Sequence, residues 1–277
     1  MTAACVIGHR VGYSRSPTLH GYWLRTLGIA GRYDLVDIPQ EEFAAFLTAL
    51  SAHGYVGANV TKPHKQAAFA LLDERDAAAG AIGAVNTVWL DGERLIGSNT
   101  DVAGFLANLD AQAPGWDAHG GPAVVLGAGG AGRAVVYGLH TRGLDVAVVN
   151  RTFARAEALA AHFGAGVTGH PWSQMLSLLA DARLLVNATL LGATGQEALA
   201  IELSALPESA VVCELNYVPL ESELLRAARA RGLRAVDGLG MLLHQAVPAF
   251  ERFFGVRPAV TAELRATLEA TLGQAGR

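Results

Sequence analysis

The chain has 277 residues, enough for two domains of ordinary size, each with its own core. Hydrophobic residues make up 51% and charged ones 17%, which excludes a disordered chain, and the net charge of −4 leaves no basic footprint for nucleic acid. The two cysteines, Cys5 and Cys213, exclude a disulfide framework, the nine histidines form no ligand motif, and no apolar run is long enough to span a membrane. The start Met-Thr-Ala-Ala-Cys-Val-Ile-Gly lacks the basic residues of a signal peptide, so the expectation is a cytoplasmic protein with no metal and no nucleic-acid or membrane partner.

In chain order, Ala4 to Gly8 reads as a first strand, followed by a loop to Pro17 and a helix from about Thr18. Ser14 and Ser16 flank an arginine just before that proline. Two hydroxyls at a helix start either bind a carboxylate or, in the case of Ser16, cap the helix. Arg32 to Ile38 is a second strand, and Pro39 to Leu50 is an amphipathic helix with Phe43, Phe46, Leu47 and Leu50 on one face. This alternation predicts a parallel α/β sheet.

Gly54 to Lys65 supplies a third strand and a turn, carrying Asn59 and Thr61, and Pro63 marks the first turn of the next helix. Lys65 then lies near the positive end of that helix, a poor place for a purely structural lysine. It is either a surface group at a frayed start or a proton donor and acceptor. Ala81 to Leu90 and Arg94 to Gly97 flank Asp91-Gly92, a hairpin signal. Asn86 and Thr87 put polar groups into an apolar run, where they serve a polyhydroxylated ligand or bond the backbone of a strand bend. The next helix has Asn99, Thr100 and Asp101 in its capping region, and Asp101 is either a first-turn acid or a carboxylate that orients Lys65.

Gln112 to Gly121, rich in Gly and Pro, reads as a linker. After it, Ala123 to Leu126 is a buried strand and runs at once into Gly127-x-Gly129-x-x-Gly132 and a helix. Gly127 permits the sharp turn, Gly129 lets the backbone approach a pyrophosphate, and Gly132 lets the helix pack on the sheet, with the helix N-terminus turned to the phosphates. Leu144 to Val149 is the next strand, ending in Asn150-Arg151-Thr152 with Arg155 close behind. An NAD-preferring site usually has an acidic residue here. A neutral Asn with two arginines suits a ribose 2′-phosphate, so the loop reads as an NADP site, the alternative being a solvated first turn of the helix from Thr152. Strands at Leu184 to Thr189 and Ala210 to Tyr217 place Asn187, Thr189 and Tyr217 at the carboxyl end of the sheet, facing the expected cleft. The arginines at 226, 229, 231 and 234 read as a solvated helix face, and Asp237 leads into a long helix on which Gln245 is an exposed position or a ligand hydrogen-bonder.

Several of these stretches together resemble the shikimate dehydrogenase family over nearly the whole chain. They are Ser-Arg-Ser-Pro at 14–17, Asn-Val-Thr-Lys-Pro-His-Lys at 59–65, Gly-Ala-Val-Asn-Thr at 83–87, Asn-Thr-Asp-Val-Ala-Gly at 99–104, the glycine loop, Asn-Arg-Thr at 150–152, and Asp-Gly-Leu-Gly-Met at 237–241 with Gln245. The resemblance implies an α/β protein of two domains: a substrate domain at 1–103 plus 238–277, and a Rossmann NADP domain at 104–237, with the site in the cleft. It implies that Ser14 and Ser16 bind the substrate carboxylate, that Asn59, Thr61, Asn86, Asp101, Tyr217 and Gln245 contact the rest of a shikimate-type substrate, and that Lys65 and Asp101 form the catalytic pair. It assigns the cofactor to Gly127, Ala128, Gly129, Gly130, Ala131, Asn150, Arg151, Thr152, Arg155, Thr189, Gly238 and Met241, and implies a monomer or homodimer. The chain departs from the family pattern at Tyr13, where His is frequent, at Gly21, where Asn is usual, and at Leu190 to Thr194, where Ser-x-Gly-Met is usual.

Overall fold

The structure, a computed structural model, describes residues 1–118 and 120–272, so His119 of the expected linker lies outside the described residues. The chain divides into two compact units, Met1–Thr100 with Leu243–Arg277, and Asp101–Leu242.

In the first unit, β1 (Thr2–Gly8), α1 (Ser16–Thr26), β2 (Gly31–Asp37), α2 (Gln40–Thr48) and β3 (Gly57–Val60) form three parallel strands joined through helices. α3 (Lys65–Ala70), β4 (Glu74–Arg75), α4 (Ala77–Ile82), β5 (Thr87–Asp91) and β6 (Arg94–Ser98) complete a six-stranded sheet ordered β2-β1-β3-β5-β6-β4. The sheet is mixed rather than parallel throughout. The Asp91-Gly92 turn, with Gly92 at φ 63°, folds β6 back on β5, and β5 also runs antiparallel to β3. This reversal sets the start of β5 beside the end of β3, pairing Asn59 with Thr87.

Ala81 and Ile82, read as the beginning of a strand, instead close α4. The Asp76 carboxylate caps that helix by accepting from the Ala79 N–H at 2.8 Å, alanines carry the chain through one turn, and Gly83 in the left-handed conformation ends it. One core of this unit gathers Ile7, Ala58, Val60 and Val88 with Phe43, Leu47 and Leu50 of the α2 region, the apolar face expected from the periodicity.

The second unit begins with α5 (Asp101–Gln112) and continues through β7 (Ala123–Leu126), α6 (Gly130–Thr141), β8 (Val146–Asn150), α7 (Phe153–Phe163) and β9 (Val167–Pro171). A short 3₁₀ turn leads into α8 (Met175–Leu179), then come β10 (Leu184–Asn187), β11 (Val211–Glu214), α9 (Glu223–Ala230) and β12 (Arg234–Val236). All six strands are parallel, in the order β12-β11-β10-β7-β8-β9. The strand order reverses between β7 and β10, the switch point at which doubly wound sheets leave a crevice for a ligand. Val125 and Val148 enter one core with Val135 and Leu139 of α6, while Val124, Leu126 and Val149 enter another with Leu179 and Leu224. Burial on both faces explains the uninterrupted apolar runs of these strands.

α10 (Leu239–Phe254) and α11 (Ala262–Leu272) end the described chain. Within the first unit, Trp23 donates Nε1–H to the Ala259 carbonyl at 2.9 Å and meets Phe250 edge-on, their ring centres 5.3 Å apart. The Phe253 ring lies so close to Gly57 that a Cβ there would come within 2.5 Å of it, so β3 accepts only glycine at that point.

Candidate active site

In the first unit the loop after β1, the end of β3, the start of β5 and the Gln245 turn of α10 carry one connected set of polar side chains. Ser14 Oγ accepts from the Ser16 N–H at 3.3 Å, and Arg15 rather than Ser16 stands at the N-cap of α1. Ser16 is the first residue of the helix and is buried, so capping is not its role. Its hydroxyl acts on the Tyr33 phenol, partly offsetting the burial that pushes this group well above the usual tyrosine range.

Tyr33 donates its O–H to Asn59 Oδ1 at 2.6 Å. Asn59 Nδ2 in turn donates to Thr87 Oγ1 at 3.0 Å and to the Asn86 carbonyl at 3.2 Å. The Asn86 side-chain oxygen accepts from the Thr100 N–H at 2.7 Å, the Thr100 hydroxyl at 3.1 Å and the Thr87 hydroxyl at 3.2 Å, which leaves Nδ2 to donate to Gln245 Oε1 at 3.3 Å. Four residues expected in the site, Ser16, Asn59, Asn86 and Gln245, are thus joined through Thr87, which the sequence marks as a polar group in an apolar run, Thr100 of the capping region, and Tyr33, which the sequence does not mark. Thr61, just past β3, hydrogen-bonds the Tyr13 phenol, so the departure at position 13 is tied to an expected site residue.

Lys65 heads α3 and is half-buried. The residue before it, His64, is fully buried, stacks on Phe43 with ring centres 4.2 Å apart, and bonds the Ile38 carbonyl through Nε2 at 2.9 Å. The turn that presents Lys65 is therefore fastened to the core rather than frayed. Asp101 is the first residue of α5 and Tyr217 follows β11, both in the second unit.

In the second unit a cleft of about 620 Å³ lies at the carboxyl ends of β7, β8 and β10. Its lining includes Gly127, Ala128, Gly129, Asn150, Arg151, Arg155 and Thr189, together with Leu190 and Leu191 of the stretch that departs from the family pattern, and Trp172 and Glu197, which the sequence does not mark. Gly127 has φ 104°, and a Cβ on Gly132 would sit 2.1 Å from the Gly127 carbonyl oxygen. Only glycine at both positions lets α6 start this close to β7. Gly129 stands at the N-cap of α6 with no side chain capping it, and around both Gly129 and Gly130 there is nothing within 4 Å of where a Cβ would be. The first N–H groups of the helix are left to a ligand or to water.

Asn150 Oδ1 accepts from the Ala128 N–H at 3.2 Å and its Nδ2 donates to the Thr152 carbonyl at 2.9 Å, binding the end of β8 to the glycine loop. Arg151 faces Glu197 at 3.7 Å, both largely exposed, so this ion pair is weak. Gly130, Ala131 and Thr152 flank the cleft on the chain. Gly238 and Met241 are not in its lining. Gly238 packs against the Leu215 carbonyl, where a Cβ would come within 2.3 Å, and Met241 belongs to the core around Phe105. Asn187, expected to face the cleft, is buried: it donates to Glu214 at 2.8 Å and accepts from the Thr189 hydroxyl at 2.7 Å, so it supports Thr189 from beneath.

Fold and site define a class: a two-unit α/β protein whose second unit is a doubly wound dinucleotide-type sheet with a glycine loop, and whose first presents a buried array of hydroxyls and amides. Residues 6–88 match the shikimate dehydrogenase substrate binding domain, 111–199 the shikimate/quinate 5-dehydrogenase domain, and 238–269 the shikimate 5′-dehydrogenase C-terminal domain. The shikimate dehydrogenase (NADP(+)) of Mesorhizobium japonicum is 58% identical over 270 residues, 97% of this chain and 96% of that protein. Shikimate 5-dehydrogenase from Thermus thermophilus, solved in complex with NADP(H) and shikimate, is 40% identical with a TM-score of 0.86, covering 99% of this chain and 100% of that one. Quinate dehydrogenase from Corynebacterium glutamicum, in complex with NAD, is 34% identical with a TM-score of 0.89, covering 97% and 99%. The chain belongs to the shikimate dehydrogenase family.

Proposed function

We propose that the chain catalyses the NADP-dependent, reversible oxidoreduction of shikimate and 3-dehydroshikimate, a step of aromatic amino acid (chorismate) biosynthesis, in the cytoplasm and as a monomer or homodimer. The observation that carries the cofactor choice is the end of β8. Asn150 stands where an NAD-preferring site has its acid, and Arg151 and Arg155 line the same cleft. The uncapped start of α6 and the open face of Gly129 and Gly130 fit a pyrophosphate, and the two guanidinium groups fit a 2′-phosphate. When bound, NADP supplies the nicotinamide that takes up or returns a hydride. In this reading residues 104–237 hold the cofactor, and residues 1–103 with 238–277 hold the substrate.

The remaining chemistry falls to side chains. Ser14 and Ser16 hold the substrate carboxylate, and Asn59, Thr61, Asn86, Tyr217 and Gln245 fix the ring and its hydroxyls. As the alcohol carbon loses its hydride, its oxygen must shed a proton. Lys65 takes that proton, or returns it in the reverse direction, and Asp101 orients the ammonium group. Acid–base assistance of this kind contributes roughly 10²–10⁴-fold.

Initial rates with shikimate and quinate, each against NADP⁺ and NAD⁺, test the reading. We expect rapid turnover of shikimate with NADP⁺ and a Lys65→Ala variant slower by roughly 10²–10⁴-fold with an unchanged melting curve. Equal rates with NAD⁺ would remove the arginine argument, quinate as the better substrate would move the substrate class, and a fully active Lys65→Ala would remove Lys65 from proton transfer.

A further inference from the structure

The amide of Asn59 has only one workable orientation. The Asn86 carbonyl, an acceptor with no proton to give, lies 3.2 Å from the end of this side chain, so that end must be the NH₂ group, and Oδ1 faces Tyr33. Tyr33 must therefore be the donor, and its single proton is committed to Asn59 at 2.6 Å. The consequence runs on through the network. Asn59 Nδ2 donates to Thr87 Oγ1, and the Thr87 hydroxyl is set to donate to the Asn86 side-chain oxygen. The Thr100 N–H meets that same oxygen, which turns the Asn86 NH₂ towards Gln245. The Asn86 carbonyl and the Thr100 N–H set the polarity of the array, and the phenolic proton holds it there by satisfying Asn59 Oδ1.

The phenol is itself held in place. His20 stacks on the Tyr33 ring with centres 3.9 Å apart and planes within 3° of parallel, and His20 is packed by Trp23 and Phe250. Tyr33 is buried and far from ionising, so its donor role holds at any ordinary pH.

From this geometry we infer that Tyr33 is a positioning residue of the substrate site: its hydroxyl anchors Asn59 in that orientation and, through Asn59, steadies Thr87 and Asn86, so that their donors and acceptors match the ring hydroxyls of the substrate. The inference rests on the shikimate reading above. Because these groups hold the substrate and the transition state alike, losing their alignment raises KM and spares kcat. Tyr33→Phe keeps the ring and its stack and removes only the hydroxyl.

The test is a double-mutant cycle on shikimate kinetics with NADP⁺, with melting curves for every variant. Tyr33→Phe is expected to raise KM for shikimate about 10-fold with kcat within about twofold and KM for NADP⁺ unchanged, a split that a merely structural residue would not produce. In an Asn59→Ala background the same substitution should change KM by less than about twofold, since its effect passes through Asn59. An unchanged KM in Tyr33→Phe, or full additivity with Asn59→Ala, overturns the inference. If Tyr33→Phe does not fold, Thr87→Val leaves Tyr33 untouched and breaks the next link, between Asn59 and Asn86. KM for shikimate should rise with kcat within about twofold, and an unchanged KM overturns the inference equally. An unmodified protein with no shikimate turnover removes the substrate reading itself, and the inference with it, an outcome separate from all of these.

Discussion

His20 is the clearest case of a single residue whose chemistry follows from its surroundings. It is fully buried, both ring nitrogens lack a hydrogen-bond partner among the described residues, and aromatic rings surround it, so the neutral imidazole is the favoured form. Burial pushes its pKa from 6.5 down to about 3. The folded value lies below the unfolded one. The stability that depends on a neutral His20 is thus complete above pH 6.5 and is lost as pH falls towards 3, at about 1.4 kcal/mol per pH unit. His20→Phe keeps the stack on Tyr33 and removes the titration. Urea unfolding at pH 7.5 and 4.5 should show the variant gaining roughly 2–3 kcal/mol on the parent at the lower pH; an equal gap at both pH values would mean that His20 does not titrate on unfolding. Nothing in the sequence distinguishes this histidine from the other eight. Ser16, Asn86 and Gln245 stand out in the sequence as polar residues in an apolar or helix-start context, whereas Asn59 enters only through the family motif at 59–65. Tyr33 does not stand out, because a tyrosine in a strand reads as core, and only the sheet order, with β1 between β2 and β3, shows where its hydroxyl goes.

At the scale of elements, the long apolar strands and the glycine loop were readable because burial on both faces and a tight turn leave strong marks on composition. The short elements were not. β4 has two residues, β12 has three at a sheet edge, and α4 has six, mostly alanine, with no amphipathic period to read. The end of β11 shows how such local structure supports the cleft. Glu214 is wholly buried, and its two oxygens accept from Asn187 Nδ2 at 2.8 Å, the Asn216 N–H at 2.9 Å, Asn216 Nδ2 at 2.8 Å and the Ser222 hydroxyl at 3.4 Å. Asn187 and Asn216 in turn hold Thr189 and the backbone at 189–191, which lines the cleft. Burial raises the Glu214 pKa to about 6 against those hydrogen bonds. The folded value here lies above the unfolded one, so the associated stability is present below about pH 4.5 and is lost as pH rises through about 6. The loss totals about 2 kcal/mol. Glu214→Gln does not titrate. Whatever its constant offset, the stability of the parent minus that of the variant should fall by about 2 kcal/mol between pH 4 and pH 7.5 in denaturant titrations, and a constant difference would show that the carboxyl group is not desolvated as its burial implies.

For the whole molecule, the family resemblance implies a second sheet inside an interrupted first domain, an arrangement that hydrophobic periodicity alone does not reveal. The expected borders at 103 and 238 lie close to α5 and α10, whereas the compact units divide after Thr100 and before Leu243. Ligand-dependent hydrogen exchange tests which unit takes which ligand. A ligand that binds only the folded form stabilises it by RT ln(1 + [L]/Kd), about 2.7 kcal/mol at 100 times Kd, which slows exchange through unfolding about 100-fold. NADP⁺ alone should slow the amides of β7, β8, β10 and β11 by about that factor and give local protection at 127–133 and 150–155. Shikimate alone should slow those of β1 and β3, with local protection at 14–16 and 86–100. Protection of both sheets by either ligand would mean that the two units unfold as one cooperative body. NADP⁺ protecting the first sheet and not the second would reverse the assignment of cofactor and substrate, and with it the reading of Arg151 and Arg155 as the phosphate contacts.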